Sequence, residues 1–375
     1  MGNRNSIIDS EIYGDNMKLK LIISSYNLDF GGIEKSLINM VNSLDAKKYD
    51  ITLVLENKEG VFLKDINKNI KVIEYHPSNT NNKIIDKVIN LFKRVSWILK
   101  HHNKYDVSIC YATYSLSSNF IARSSSKKRL FYIHSNYYEV YNHDESKVLD
   151  FFDKRNLDDY SKIVFVSNES RESFLKLYPK YEKNSFVINN IVNITEILNL
   201  AKEECKIPLT NKYIGVFVGR LEEKSKKITR IVGLAKNCNK DYGFLIIGDG
   251  PDKDYLSKII KDNKLKNIVM MGSQKNPYKY IARSNFLILT SDYEGNPVVF
   301  NEAIILNKPI LTTINTSDNE IEINNNFGIV CSPNELQSNL NKIIKFKSKK
   351  LDFNDINSNR ISKIERLIDD VYEED

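Results

Sequence analysis

The feature that most constrains this chain is the order of its apolar segments, which alternates between two periods and then repeats. Short runs rich in β-branched residues, such as 19–24 and 107–111, alternate with stretches in which apolar residues recur every three or four positions, such as 83–100. This alternation is typical of a parallel sheet wrapped by helices. The series restarts near Tyr213, after the asparagine-rich stretch 189–195. The sequence therefore predicts an α/β protein with two doubly wound, Rossmann-like domains and a cleft between them.

The length of 375 residues suits two domains of ordinary size. We place the first domain at residues 17–190, the second at 191–345, and a helical segment that packs back on them at 346–375. The apolar residues of that last segment have helical spacing, at Ile361, Ile364, Leu367, Ile368 and Val371. Residues 1–16 are polar and aperiodic, and we interpret them as an extension. Its residues Met1, Gly2 and Ser6 fit the short pattern for N-myristoylation, which by itself indicates little.

Composition argues against several classes of protein. Hydrophobic residues make up 41% of the chain, and no apolar run approaches the roughly 18 residues that a membrane-spanning helix needs. The four cysteines form no Cys-x-x-Cys pair, so we expect neither a zinc site nor a disulfide framework. The net charge of +7 suits phosphates or anionic lipid, and without a recognition motif we expect no nucleic-acid partner. Together these features predict a cytoplasmic protein.

A pair of glycines follows the first predicted strand. Gly31 and Gly32 lie between that strand and the first helix, where backbone N–H groups and the positive end of the helix dipole can face a phosphate. A glycine pair after a strand more often forms only a tight turn. The pair is therefore a candidate phosphate site that needs support from elsewhere in the chain.

Basic residues follow the first strand of the second domain. Gly219 and Arg220 end that strand, and Lys224, Lys226 and Lys227 come directly after it. An arginine and a lysine at this position can clamp a diphosphate, the arginine through its planar fork and the lysine as a point charge. The alternative is a solvated, lysine-rich loop.

Two glutamates lie at the start of a later helix. Glu294 and Glu302 are separated by seven residues, which begin with Gly295, Asn296, Pro297 and Val298. Open backbone amides, with a proline near the first helical position, make this helix start an anion-facing surface. Glu302 can accept hydrogen bonds from two vicinal hydroxyls of a ribose, and Glu294 from a sugar hydroxyl. Both could instead be ordinary residues of a helix, one capping it and one on its surface.

Four segments occur in a fixed order along the chain: GGIE at 31–34, VGRL at 218–221 with Lys226, IIGDGP at 246–251 and EGNPVVFNE at 294–302. This order resembles family 4 retaining glycosyltransferases, which have the two-domain GT-B fold and an E-x(7)-E signature. The resemblance covers residues 18 to about 344.

The resemblance implies a role for each matching residue. Arg220 and Lys226 would bind the diphosphate of a nucleotide-sugar donor, Glu302 its ribose and Glu294 its sugar, while the N–H of Gly32 would bind the distal phosphate. His134, in the segment FYIHSN, matches a histidine that lies beside the transferred sugar in that family. The candidate catalytic residues are therefore Arg220, Lys226, Glu294 and His134, and the candidate donor-binding residues are Gly31, Gly32, Gly219, Gly295, Asn296, Pro297, Val298 and Glu302.

One departure from the family pattern leaves the lysine of the diphosphate clamp open. An apparent extra residue follows GRL, so that Lys224 or Lys227 could replace Lys226 in the diphosphate clamp. Asp252 and Asp254 superficially resemble a metal-binding Asp-x-Asp motif, but they begin a helix, where acidic residues suit the positive end of the dipole. We expect no metal and no cofactor, the nucleotide-sugar being a substrate.

The activity that the resemblance implies is retaining transfer of a hexose-type sugar from a nucleotide diphosphate, with UDP favoured. The acceptor would be a glycan or a lipid-linked molecule in cell-surface polysaccharide or glycoconjugate synthesis. Fold alone does not fix a reaction. Two alternatives are a non-catalytic protein that binds nucleotide-sugars or glycans and a GT-B sugar epimerase or phosphorylase.

The predicted helix 83–102 has two distinct faces. One is an apolar stripe, made of Ile84, Ile85, Val88, Leu91, Phe92, Val95, Ile98 and Leu99, and another carries Lys93, Arg94, Trp97, Lys100 and His101. A lone tryptophan among cations suits an interfacial helix that touches an anionic membrane peripherally. The alternative is that Trp97 packs against a neighbouring element of the protein.

Overall fold

Two parallel β-sheets wrapped by helices make up the fold in the computed structural model, which describes residues 18–315 and 320–374. The possible myristoylation pattern lies outside the described residues. The strands of the first sheet are β1 (Leu19–Ser25), β2 (Tyr49–Leu55), β3 (Lys71–Glu74), β4 (Val107–Cys110), β5 (Lys128–Ile133), β6 (Lys162–Phe165) and β7 (Ser185–Val187). Those of the second are β8 (Tyr213–Val218), β9 (Tyr242–Ile247), β10 (Ile268–Met270), β11 (Phe286–Leu289), β12 (Ile310–Thr312) and β13 (Gly328–Val330).

Helices connect most of these strands. They are α1 (Gly32–Ser43), α2 (Lys83–His101), α3 (Leu116–Ser125), α4 (Tyr137–Val140), α5 (Glu145–Asp153), α6 (Asn168–Leu177), α7 (Ile194–Ala201), α8 (Glu223–Lys226), α9 (Thr229–Asn237), α10 (Lys253–Asp262), α11 (Tyr278–Arg283), α12 (Val298–Ile305), α13 (Leu336–Ile343) and α14 (Phe353–Glu373). Short 3₁₀ turns occur at Leu63–Asp65, Leu157–Asp159, Pro179–Asn184 and Pro333–Glu335. In the described ranges 18–315 and 320–374, no helix is long and apolar enough to cross a bilayer.

Strand order determines where a ligand can bind. The first sheet runs β3, β2, β1, β4, β5, β6, β7 and the second β10, β9, β8, β11, β12, β13, with parallel pairing throughout these ladders. In each sheet the order reverses beside the first strand, between β1 and β4 and between β8 and β11. Such switch points leave a crevice at the carboxyl ends of the strands. The predicted two-domain, doubly wound α/β fold is confirmed.

The last helix returns to the first sheet. In α14, Ile364, Leu367, Ile368 and Val371 are buried in the same apolar core as β1 and β2. Arg360 of this helix is also buried, and it donates to the carbonyl of Asn190 at 2.6 Å. Its apolar stripe therefore packs against the first domain, although the chain reaches it from the second.

Two helices follow β8, and Lys227 separates them. Lys227 adopts a left-handed conformation, with φ of 49°, between α8 and α9. The apolar period of 228–235 matches α9, which begins at Thr229, whereas α8 is a single polar turn without such a signal. The short strands β7 and β13 also escaped prediction, because three residues carry too little pattern to distinguish a strand from a loop.

The face of α2 that carries Trp97, which we expected to touch a membrane, packs against the rest of the protein. Trp97 is its single buried residue and donates through Nε1 to the hydroxyl of Ser125 at 3.2 Å. Tyr75 contacts the indole edge-on, and His101 stacks on it at 4.1 Å between ring centroids. The prediction that Trp97 contacts lipid is therefore wrong, because the indole fills a pocket against β3 and α3. The predicted apolar stripe is the exposed side.

Candidate functional site

A cleft of about 1770 Å³ lies between the two sheets, at the carboxyl ends of their strands. The predicted site residues come from four separate turns, which follow β1, β5, β8 and β11. All of them line this one cleft: Gly31, Gly32, His134, Gly219, Arg220, Lys226, Glu294, Gly295, Asn296, Pro297, Val298 and Glu302. The parallel topology accounts for the convergence, since it directs every one of these turns to the same edge.

The first turn presents the amino end of α1 to the cleft. Gly31 is the N-cap of this helix, and no side chain of the described residues caps it as an ordinary N-cap would. Instead the carboxyl of Glu34 folds back so closely that a Cβ on Gly31 would collide with it. The hydroxyl of Tyr114 donates to Glu34 at 3.4 Å, and burial raises the pKa of Glu34. A carboxyl thus lies where the helix start would favour an anion.

The turn after β8 brings Lys226 to Glu294. Lys226, at the end of α8, forms an ion pair with Glu294, which also accepts a hydrogen bond from Ser291 Oγ at 2.6 Å. Both side chains are largely shielded, with 21% of Lys226 and 11% of Glu294 exposed. Removal from water strengthens their attraction. Lys226, which we expect to bind the diphosphate, therefore lies beside Glu294, which we expect to bind the donor sugar.

The neighbouring lysines point elsewhere. Lys224 reaches across the cleft and donates to the carbonyl of Val140 at 2.6 Å. Lys227 pairs with Asp292 at 3.4 Å, and Arg230 contacts the same aspartate at 2.6 Å. Of the three lysines that the sequence left open, Lys226 is the one placed against Glu294.

Arg220 is exposed at the wall of the cleft, directly after β8. Its positive charge favours the ionised form of Glu34 across the cleft, which lowers the pKa of that carboxyl against the larger effect of burial. A cation from the second domain and the helix start of the first domain therefore face the same space. That space suits a group with negative charge spread over several oxygens.

Glu302 lies deeper, within α12, and only 7% of the residue is exposed. Burial raises the pKa of its carboxyl to about 7. The hydroxyl of Tyr278, from α11, donates to Glu302 Oε1 at 3.2 Å, and the charge of Lys35 also favours the ionised form. The sequence analysis missed Tyr278 and Lys35, because neither belongs to a recognisable motif.

His134 is buried and contacts the protein with one ring nitrogen. Its Nε2 lies 2.9 Å from the carbonyl of Tyr111, which requires the proton on that nitrogen. Burial lowers the pKa of the imidazole to about 4, so the ring is neutral near pH 7. Nδ1 is then left as an acceptor rather than a donor.

Close contacts join the turns across the cleft. A Cβ on Gly295 would collide with the carbonyl oxygen of His134, so that only a glycine permits this approach. A Cβ on Gly32 would lie 4.0 Å from the side chain of Val298. Asn190 donates to the carbonyl of Asn296 at 3.0 Å. The loop that carries Glu294 is therefore held directly against the strand end that carries His134.

Comparison with known proteins agrees with the two-domain fold. Residues 30–196 match the family model described as Glycosyltransferase Family 4, and residues 202–364 match the model described as Glycosyl transferases group 1. Each model covers one of the two domains. Fold and site together define a glycosyltransferase of the GT-B class. Within that class, the match of residues 30–196 places the first domain in the family 4 type.

Individual relatives are more distant. An uncharacterized glycosyltransferase of Methanocaldococcus jannaschii is 26% identical over 312 residues, which cover 80% of this chain and 75% of the relative. The capsular polysaccharide biosynthesis glycosyltransferase CapH of Staphylococcus aureus is 27% identical over 56% of this chain and 60% of its own length.

Two solved structures share the fold over nearly the whole chain. Anabaena HepE in complex with UDP and glucose is similar with a TM-score of 0.73 and 15% identity, over 92% of this chain and 99% of that one. A variant of Staphylococcus aureus TarM in complex with fondaparinux, α-GlcNAc-glycerol and UDP is similar with a TM-score of 0.70 and 16% identity, over 96% of this chain and 100% of that one.

Proposed function

We propose that the protein is a retaining glycosyltransferase that moves a hexose-type sugar from UDP to a glycan or lipid-linked acceptor in the synthesis of a cell-surface polysaccharide or glycoconjugate. The observation that carries this proposal is the contact between Lys226 and Glu294 in a cleft whose other wall holds Gly32 and His134. A nucleotide-sugar diphosphate between these walls would meet cations on one side and a helix start on the other. Its sugar would point toward the first domain.

Binding of the donor would rearrange two contacts of the free protein. Its diphosphate oxygens would compete with Glu294 for Lys226, and would displace the carboxyl of Glu34 from the start of α1. Glu294, released from the lysine, would then accept a hydrogen bond from a sugar hydroxyl. Glu302 would accept hydrogen bonds from the ribose hydroxyls in its deprotonated form.

Charge stabilisation supports the chemistry. As the bond between the anomeric carbon and the phosphate oxygen breaks, negative charge accumulates on the leaving diphosphate. Arg220, Lys226 and the amides at the start of α12 would stabilise that charge more in the transition state than in the ground state. Once the donor has bound, these groups need little further reorganisation to do so.

Retention of configuration follows from attack on the face that the phosphate leaves. The acceptor oxygen forms its bond to the anomeric carbon on that face, and its proton passes to a departing phosphate oxygen. No protein nucleophile takes part in this route. The neutral His134, with Nδ1 free to accept, would orient a hydroxyl of the sugar beside it.

The choice of UDP rests on similarity. The HepE and TarM structures that share the fold contain UDP, and the names of relatives include capsular polysaccharide biosynthesis and α-N-acetylglucosamine transfer to poly(ribitol-phosphate). We place the protein as a peripheral enzyme at the cytoplasmic side of a membrane, without metal or cofactor.

A ligand panel and a pair of variants test the proposal. UDP-, GDP- and ADP-sugars are compared by thermal shift. A UDP-sugar should raise the Tm most, because the ligand that binds the folded state most tightly stabilises it most. Lys226→Ala should lower turnover by about 100-fold, the effect of losing one preorganised charge-stabilising donor. Lys227→Ala is the matched control, because that lysine pairs with Asp292 instead. Equal turnover of both variants, or an inverted anomeric configuration by NMR, would reject the assignment.

A further inference from the structure

Helix α2 displays a continuous apolar surface to solvent. The exposed fractions are 75% for Ile84, 61% for Leu91, 70% for Phe92 and 78% for Leu99. Four more residues of the same stripe are exposed by more than a third: Ile85, Val88, Val95 and Ile98. At 3.6 residues per turn, this stripe is centred opposite Trp97, and the helix of 19 residues is about 28 Å long. Scattered apolar residues are normal on a protein surface, but a contiguous stripe of this length indicates a partner.

The inner side of α2 shows that the helix is anchored in this orientation. Trp97 is buried and bonded to Ser125. Asn90 exchanges hydrogen bonds with the backbone of Ser78, donating at 3.0 Å and accepting at 2.7 Å. Rotation that buried the apolar stripe would expose the indole and break these contacts. The stripe is therefore a fixed outer surface of the first domain.

The charge along α2 complements an anionic surface. Lys87 and Lys100 are exposed at the edges of the stripe, and Lys83 is exposed at the amino end of the helix. Asp86 is the one acidic residue of the helix, and its carboxylate accepts from Ser78 and Thr80 on the inner side. Interfaces between proteins are depleted in lysine, whereas lysines beside an apolar stripe extend their stems along lipid and reach the headgroups.

The position of α2 relates this surface to the cleft. The helix follows β3, whose carboxyl end lies at the cleft edge of the sheet, and it leads back to the amino end of β4. The amino end of α2, with Ile84 and Val88, is consequently on the cleft side. A membrane against the stripe would lie beside the opening of the cleft.

We infer that the outer face of α2 is a docking surface for an anionic lipid membrane, with the apolar stripe in the interface and Trp97 retained inside the protein. An amphipathic helix with an apolar face and flanking lysines lies in the interfacial plane of such a bilayer. Its use in presenting a lipid-linked acceptor rests on the proposed function, whereas docking itself requires neither donor nor acceptor.

Co-sedimentation with vesicles tests the inference. The full chain is mixed with phosphatidylcholine vesicles that contain either no charged lipid or 30% phosphatidylglycerol, at low and at high salt. Binding should need the anionic lipid and weaken with salt, because the lysines contribute electrostatically. Phe92→Ser with Leu99→Ser should lower the partition coefficient at least about tenfold, given the apolar area removed.

A matched pair controls for general loss of apolar surface. Leu198 and Tyr255 are exposed by 43% and 53% on helices of the second domain, and their replacement by serine should leave sedimentation unchanged. The inference would be overturned if the parent did not bind, or if both double variants lost binding equally. It would also be overturned if the parent bound no vesicles and light scattering showed a dimer that the α2 substitutions abolish.

The only tryptophan reports the orientation. Trp97 should keep its emission maximum and resist quenching by brominated acyl chains on vesicles, because it stays on the inner side of the helix. Strong quenching would place the opposite face in the lipid and overturn the inference. Donor hydrolysis by the α2 variants, measured without lipid, should equal that of the parent; this separates a failure of docking from a failure of the proposed reaction.

Discussion

The pH dependence of donor binding offers the sharpest test of the ribose role of Glu302. Burial raises the pKa of this carboxyl to about 7 in the free protein, and we expect the ionised form to bind the ribose, because it accepts hydrogen bonds through both oxygens whereas the protonated form carries a donor on one of them. The ionised fraction is about 0.9 at pH 8 and about 0.09 at pH 6, so the apparent Kd should rise about tenfold between them. A UDP-sugar is the ligand of choice, since it lacks the terminal phosphate that titrates near pH 6 in a free nucleotide.

Two substitutions attribute the effect to this carboxyl. Glu302→Gln keeps the shape and the hydrogen bond from Tyr278, but it cannot ionise. The variant should therefore bind the UDP-sugar more weakly at pH 8 and should lose the pH dependence that comes from this side chain. Tyr278→Phe removes a hydrogen bond that lowers the pKa of Glu302, and should move the midpoint of the profile to higher pH. Isothermal titration at several pH values measures both.

A second buried glutamate provides the control. Burial raises the pKa of Glu56 to about 7 as well, but Glu56, directly after β2, accepts a hydrogen bond from Ser115 and does not line the cleft. Glu56→Gln should therefore leave the binding profile unchanged. The effect of Glu34, whose charge would repel phosphate at higher pH, has the opposite sign and is common to all the proteins compared. Equal pH slopes in the parent and Glu302→Gln would refute the reasoning.

Further outcomes can be measured independently. Arg220→Ala should lower turnover about 100-fold or more in a transfer assay, and a change of only a few-fold would contradict its role at the leaving diphosphate. Gly295→Ala forces a Cβ against the carbonyl of His134; the displaced loop should cost turnover on the order of 100-fold, with little loss of Tm. Glu56 stabilises the fold in its protonated form below about pH 4.5, and that contribution is lost as the pH rises through about 7. Glu56→Gln should therefore be more stable than the parent by about 2–3 kcal/mol at pH 8 and no more stable at pH 4.5, by urea unfolding. Transfer should persist in EDTA, and its abolition would show a requirement for metal.

The site could be predicted from sequence to the extent that topology determines it. Gly32, Arg220 and Glu294 each follow a recognisable strand, and a parallel sheet collects such turns at one edge. Tyr278 could not be found in this way, since a lone tyrosine in a short helix carries no sign that it faces a glutamate 24 residues later. The return of Glu34 to its own helix start was also unforeseen, although a glutamate three residues after an N-cap is a known capping arrangement.

Helix α2 shows what periodicity leaves open. Its spacing predicted both the helix and its apolar stripe, but a period identifies which residues share a face and not what that face meets. The contacts of Trp97 with Tyr75 and Ser125 decide the orientation, and they join segments more than 20 residues apart. Such packing has no counterpart in local sequence.

The two passages of the chain between the domains have a mechanical consequence. The first runs through Val192 and the second enters α14, and Asn357 joins them by bonding both the N–H and the carbonyl of Val192, at 3.3 and 2.6 Å. Arg360 adds a bond to Asn190 beside them. Two connections fastened side by side behave as a single pivot. We expect any closure of the two domains on a donor to be a rotation about this point, because sliding or twisting would break the hydrogen bonds of Asn357 and Arg360.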